Sequence, residues 1–178
     1  MPYFAAALAR TPSGWTATEV DLDGIHDFAT LADILRDVDD DDKAETTLLF
    51  LEEDDVYVAI VRVDGVEDPR VFVSDSRAGE ESRIAQLLLD EVGPPVSVPF
   101  SVDEVLHAGD DVAVEEDEPA EPTDVVPAGD SDLVADLGTP AATLLALCAH
   151  EGLLPADVIT AVADKAGCLD ELEEIREG

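Results

Sequence analysis

The stretch Val20–Asp27 reads VDLDGIHD and places two carboxylates, Asp21 and Asp23, where a strand-like run ends. An Asp-x-Asp-Gly at a strand exit is how phosphoryl-transfer sites with an aspartate nucleophile often begin. Such a site also needs a hydroxyl residue after a later strand, a lysine, and a downstream acidic pair to hold magnesium. Lys43 stands too early in the chain and Lys165 lies in the last helical region, and no strand with an acidic pair follows in the right order. The expected reading is therefore a strand running into a turn, with Asp27 capping the helix after it.

Other chemistry-bearing residues read in the same way. Glu52, Glu53, Asp54 and Asp55 stand together between two strand patterns. They offer an acid/base pair in principle, but adjacent carboxylates in a hairpin turn usually stay hydrated, so they are read as a contact surface for a partner. Asp37–Leu48, DVDDDDKAETTL, has the length of a calcium loop, yet its sixth position is Asp42 where glycine is required and its twelfth is Leu48 where glutamate is required. Cys148, His150 and Cys168 are zinc-type ligands without a fourth nearby, and two residues two apart on a helix point in different directions. His26 and His107 lie far away in sequence. No glycine-rich phosphate loop and no Gly-x-Ser-x-Gly occurs. No catalytic residue, metal site or cofactor is assigned. Trp15, the single tryptophan, is either a partner-contact anchor or sheet-edge packing.

The elements that must position these residues follow from periodicity. Tyr3–Ala9 and Trp15–Leu22 are extended runs joined by Thr11-Pro12-Ser13-Gly14, which predicts a hairpin. Phe28, Leu31, Ile34, Leu35 and Val38 recur at helical spacing. Thr46–Leu51, Val56–Val63 and Arg70–Ser74 read as strands, and Val56–Val63 is apolar on both faces, as in a sheet covered on both sides. Ile84, Leu87 and Leu88 suggest a short covering helix. The expected class is α+β, with a mostly antiparallel, roughly five-stranded sheet and packed helices. This sheet domain spans 1–107. An acidic, proline-rich linker follows at 108–132, and a small helical region occupies 133–178. There Thr139 is the expected cap of one helix, Pro155 opens a second that ends at Gly167, and Leu169, Leu172 and Ile175 stripe a third. These short helices are expected to dock on the sheet domain or on a partner.

Charge dominates the composition. The 178 residues carry 44 Asp+Glu against 9 Lys+Arg, a formal net charge of −35. A polyanion repels phosphate, so binding to nucleic acid or to an anionic membrane is not expected, whereas a basic protein partner is. Two cysteines make no disulfide framework, and the apolar N-terminal run is short, lacks a basic leader and ends at Arg10, so a cytoplasmic protein is expected.

Several stretches in order carry a family likeness: YFAAALAR (Tyr3–Arg10), Trp15 and EVDLDG behind it, LEEDD (Leu51–Asp55), VRVDGVEDPRVFVSD (Val61–Asp75) and AGDSDLVADLGTPA (Ala128–Ala141). Together they resemble the actinobacterial tRNA adenosine deaminase-associated proteins, a likeness that covers nearly the whole chain outside the acidic linker. The resemblance implies an association with the enzyme that edits the tRNA wobble adenosine. It implies no reaction and carries no catalytic residues over. The deaminase itself uses His-x-Glu and Pro-Cys-x-x-Cys zinc motifs, and neither stands here. The reading is thus a non-catalytic acidic accessory or regulatory protein. Its alternatives are a divalent-ion-dependent enzyme built on Asp21, Asp23 and Glu52–Asp55, or a self-assembly or small-ligand-binding module.

Overall fold

A computed structural model describes residues 3–38, 44–92, 126–150 and 152–178. Six strands form one sheet: β1 (Tyr3–Thr11), β2 (Gly14–Glu19), β3 (Thr46–Glu53), β4 (Tyr57–Val63), β5 (Arg70–Val73) and β6 (Ala128–Gly129). Their order is β2-β1-β3-β4-β5-β6, and every neighbouring pair is antiparallel. The class is α+β, as the periodicity predicts, but the sheet has six strands rather than five. The extra strand is two residues long and belongs to a stretch read as linker. Two residues cannot display an alternating pattern, so only its partner β5 reveals it.

Among the described residues, five α-helices cover the sheet: α1 (Phe28–Arg36), α2 (Arg83–Val92), α3 (Ala141–Ala149), α4 (Pro155–Ala166) and α5 (Leu169–Glu177). Side chains alternate across a strand, so β3 and β4, apolar at successive positions, must bury both faces. They do. Leu49, Leu51, Tyr57, Ala59 and Val61 pack on Leu31 and Leu35 of α1 and on Ala85 and Leu88 of α2. Leu48, Phe50, Val58, Ile60 and Phe72 pack on Leu144 of α3, on Ile159 and Val162 of α4 and on Leu172 of α5. Each large apolar side chain so buried stabilises the fold by roughly 1.5–3 kcal/mol. The C-terminal helices therefore share a core with the sheet and form its second cover. Most of the acidic stretch 108–132, from 108 to 125, lies outside the described residues.

Local signals explain the element ends. Asp27 accepts a hydrogen bond from the Thr30 backbone N–H at 2.7 Å and caps α1. Pro155 occupies the first turn of α4, and Gly167 ends it in the left-handed conformation at φ 83°. Thr139 is a correction. Its backbone N–H bonds Val134 O, and Pro140, not Thr139, precedes the first turn of α3. The Thr139 hydroxyl is fully buried and has no hydrogen-bond partner among the described residues. The cap fails because the chain enters α3 extended through Pro140 (φ −59°, ψ 157°), one residue later than the Thr-Pro pair suggests.

Candidate functional site

The β3–β4 turn holds the four predicted contact residues, and the pleat separates them. Glu52 and Glu53 are neighbours on one strand, so their side chains leave on opposite faces. On the α3–α5 side, Glu52 accepts a bond from Arg176 of α5 at 3.1 Å, and the Arg176 guanidinium stacks 5.0 Å from the Phe4 ring centre. Burial pushes the Glu52 carboxyl above its usual range, against the pull of Arg176, and Asp55 and Asp157 add to the rise. On the opposite side, Glu53 accepts bonds from Tyr57 Oη at 2.9 Å and from Ser82 Oγ. Ser82 also accepts from Ala85 N at 3.1 Å, at the start of α2. Burial raises the Tyr57 phenol well above its ordinary value, so Tyr57 stays a neutral donor. Asp54 and Asp55 make the turn itself, with φ values of 50° and 56°. The connection from Glu53 to its partner Tyr57 is three residues, Asp54, Asp55 and Val56, closed by Val56 N donating to Glu53 O at 2.9 Å, and Asp tolerates the left-handed conformation better than most side chains. The carboxylates at 52 and 53 are thus structural partners on two faces, and those at 54 and 55 stand exposed.

Beside Asp55 lies a cleft of about 240 Å³. Val58, Cys148, Leu153 and Pro155 make its apolar wall, and Asp55 and Asp75 contribute carboxylates. The cleft forms where the β3–β4 turn, the end of β5 and the α3–α4 connection meet. Burial pushes the Cys148 thiol up to about 12, and Cys168, in the core, is raised to the same degree by burial and by Glu171. Thiols so raised stay protonated at neutral pH, unlike an activated nucleophile. His150 lines the cleft with Cys148, whereas Cys168 lies in the core and donates to Ala163 O. Among the described residues, no three or more His, Cys, Asp or Glu side chains converge as metal ligands do. In the Asp37–Leu48 stretch, residues 39–43 lie outside the described residues, and Leu48 is a fully buried β3 side chain.

VDLDGIHD forms a turn closed by its own groups. Asp21 accepts from Asp23 N at 2.9 Å and from Tyr3 Oη at 3.1 Å, while the phenol accepts from Leu22 N at 2.9 Å. Arg83 donates to the Ile25 and Leu22 carbonyls and holds the turn against α2. Trp15 is half-buried at the start of the edge strand β2, against the core on the α5 side. It lies at the sheet edge, apart from the Glu52–Asp55 turn.

One cluster escaped sequence reasoning. Arg62 sits on β4 directly opposite Arg70 of β5, a like-charge pair that repels unless bridged. Asp64 bridges it, receiving Arg62 Nε at 2.9 Å, Arg70 Nη2 at 3.2 Å and Thr46 Oγ1 at 2.7 Å. Arg62 continues to Asp136, Nη2 to Oδ2 at 2.9 Å, and to the Leu133 carbonyl at 2.6 Å, and Arg70 lies 3.5 Å from Asp130. Two stretches that carry the family likeness, 61–75 and 128–141, thus lock together across the sheet. The available signal was one arginine inside a strand apolar on both faces.

Sheet, covering helices and carboxylate turn define an α+β protein with a helical layer on each face and an excess of acidic groups. The family model for Rv3753c-like tRNA adenosine deaminase-associated proteins matches residues 3–169. The chain belongs to that family. No curated protein and no solved structure matches it.

Proposed function

We propose that this chain is a non-catalytic acidic accessory or regulatory protein of the cytoplasm that docks on a basic protein partner, a tRNA adenosine deaminase. One observation carries the reading. Six arginines, 36, 62, 70, 77, 83 and 176, bond oxygens of this same chain, so the cations present are largely spent internally. Against 44 Asp+Glu and 9 Lys+Arg, the remainder is a surface of carboxylates. An enzyme that grips tRNA presents basic groups, and a polyanion is complementary to them. The family association names the enzyme. The same charge argues against direct binding of nucleic acid. Among the described residues, no helix is long and apolar enough to cross a membrane.

The divalent-ion enzyme has less support, because Glu52 and Glu53 turn to opposite faces and Asp21 is engaged in its own turn. Affinity capture from the source organism tests the proposal. The deaminase should be enriched at ~50 mM salt and released at ~500 mM, where screening has shortened to a few ångströms. Repeated capture without the deaminase at low salt would sink it.

A further inference from the structure

Among the described residues, four large apolar side chains stand exposed: Val56, Val66, Val126 and Leu154. One of them lines the cleft, and two more adjoin its lining residues in sequence or through backbone hydrogen bonds. Val56 is part of its wall, and Leu154 stands between two wall residues, Leu153 and Pro155. Val126 is tied to the cleft residue Asp75 and its neighbour, since its carbonyl accepts from Ser76 N at 2.8 Å and its N–H bonds the Asp75 carboxylate. Val56 is 55% exposed and Leu154 50%, so each keeps about half of its surface in water. Exposed apolar side chains at and beside a partly apolar hollow are how a protein presents a contact site.

Two carboxylates, Asp55 and Asp75, line the hollow, and a third, Asp157, which accepts from Leu154 N at 3.0 Å, stands nearby. Among the described residues, no Lys or Arg belongs to the wall; Arg77 is bound to Asp75 at 2.8 Å. The volume, about 240 Å³, falls below the roughly 300–1,000 Å³ of pockets that enclose a drug-sized ligand. It suits a protein side chain or two. Resting on the accessory-protein reading, the geometry points to this cleft as the anchor point of the basic partner: an apolar side chain enters it, and lysines or arginines on either side of that side chain meet Asp55 and Asp157. The long-range attraction of the polyanion brings the partner in; the cleft fixes where it stops.

Two arms test this. In the first, the isotope-labelled protein is titrated with acetyl-Arg-Leu-Arg-amide and with acetyl-Arg-Gly-Arg-amide, and amide shifts are followed by NMR. The leucine peptide should saturate shifts at Val56, Ser74, Leu153 and Leu154 and bind several-fold more tightly than the glycine peptide. That advantage should vanish in the double variant Val56→Ser/Leu154→Ser, whereas Asp55→Asn should weaken both peptides alike. Equal binding of the two peptides, or shifts spread over the acidic surface without a focus at the cleft, overturns the proposal. In the second arm, the tRNA adenosine deaminase of the same organism is the probe. The double variant should lose at least tenfold in affinity, and Val66→Ser, on the β4–β5 turn, should lose none. Undiminished binding by the double variant removes the cleft and leaves the accessory role standing. A deaminase that fails to bind the native chain, while the leucine peptide still seats at the cleft, removes that enzyme as the partner and leaves the cleft.

Discussion

Arg62 ties β4 to the segment before α3. The residue is 6% exposed, and its side chain touches Asp64, Asp136 and the Leu133 carbonyl. Removing one member of a buried ion pair costs about 3–5 kcal/mol, because the partner charge stays behind. Here the Asp136 side chain is 60% exposed and rehydrates, so Arg62→Met should fall near the lower end of that range, read as a lower urea midpoint at unchanged slope. The same cluster sets an acid limit. Hydrogen bonds from Arg62 hold Asp136 below the ordinary carboxylate range; burial would raise Asp64, but Thr46 and Arg62 outweigh it and lower that group too. A carboxylate depressed in the folded state contributes stability that is present above its unfolded value, about 3.9, and is lost as pH falls through its folded value. Wild type should therefore lose stability below about pH 4 more steeply than Asp136→Asn. Thr139 predicts the opposite kind of change. Its buried hydroxyl has no partner among the described residues, so the isosteric Thr139→Val should be neutral or stabilising by up to about 1–2 kcal/mol, measured by the same urea titration.

At the scale of elements, the short strand β6 depends on one glycine. Gly129 has φ 92°, and a Cβ there would lie 2.1 Å from the Val71 carbonyl oxygen. Left-handed strain alone costs about 1–3 kcal/mol, and the clash displaces β6 from β5. Gly129→Ala should lower the melting temperature by several degrees, whereas Gly24→Ala, with open space around its Cβ position, should leave it nearly unchanged. Loss at Gly24 equal to that at Gly129 would contradict the β5–β6 pairing. Edge position explains why β6 tolerates such brevity: it needs only one partner, and Asp130 N continues the pairing to Val71 O at 2.8 Å.

For the whole molecule, the two helical layers and the net charge make separate predictions. Ending the chain at residue 125 would uncover Leu8, Phe50, Ile60 and Phe72, all fully buried against α3–α5 or the segment before them. Such a fragment should be insoluble or lack a cooperative transition; a soluble fragment that melts cooperatively would make 1–107 an independent domain and 133–178 an addition to it. A formal charge of −35 repels itself, so the melting temperature of the full chain should rise as salt increases from ~0.05 to ~0.5 M, even though the Arg62 cluster is weakened slightly.

Much of this architecture was legible residue by residue. The two-faced run expected over Val56–Val63, which begins one residue later because Val56 belongs to the exposed turn, the Thr11–Gly14 turn, the Asp27 cap and the Pro155 and Gly167 boundaries rest on periodicity and on backbone preferences within a few residues. Composition alone determines the charge, and with it the class of partner expected. Only the folded chain decided that Glu52 and Glu53 serve opposite layers, that Thr139 turns inward, that Ala128–Gly129 closes the sheet, and that Arg62 reaches Asp136. The cleft is of the same kind, since Asp55, Asp75, Cys148 and Pro155 come from separate segments. Contacts between residues tens of positions apart depend on strand register and helix docking, and these follow from the sum of packing over two cores rather than from any local pattern.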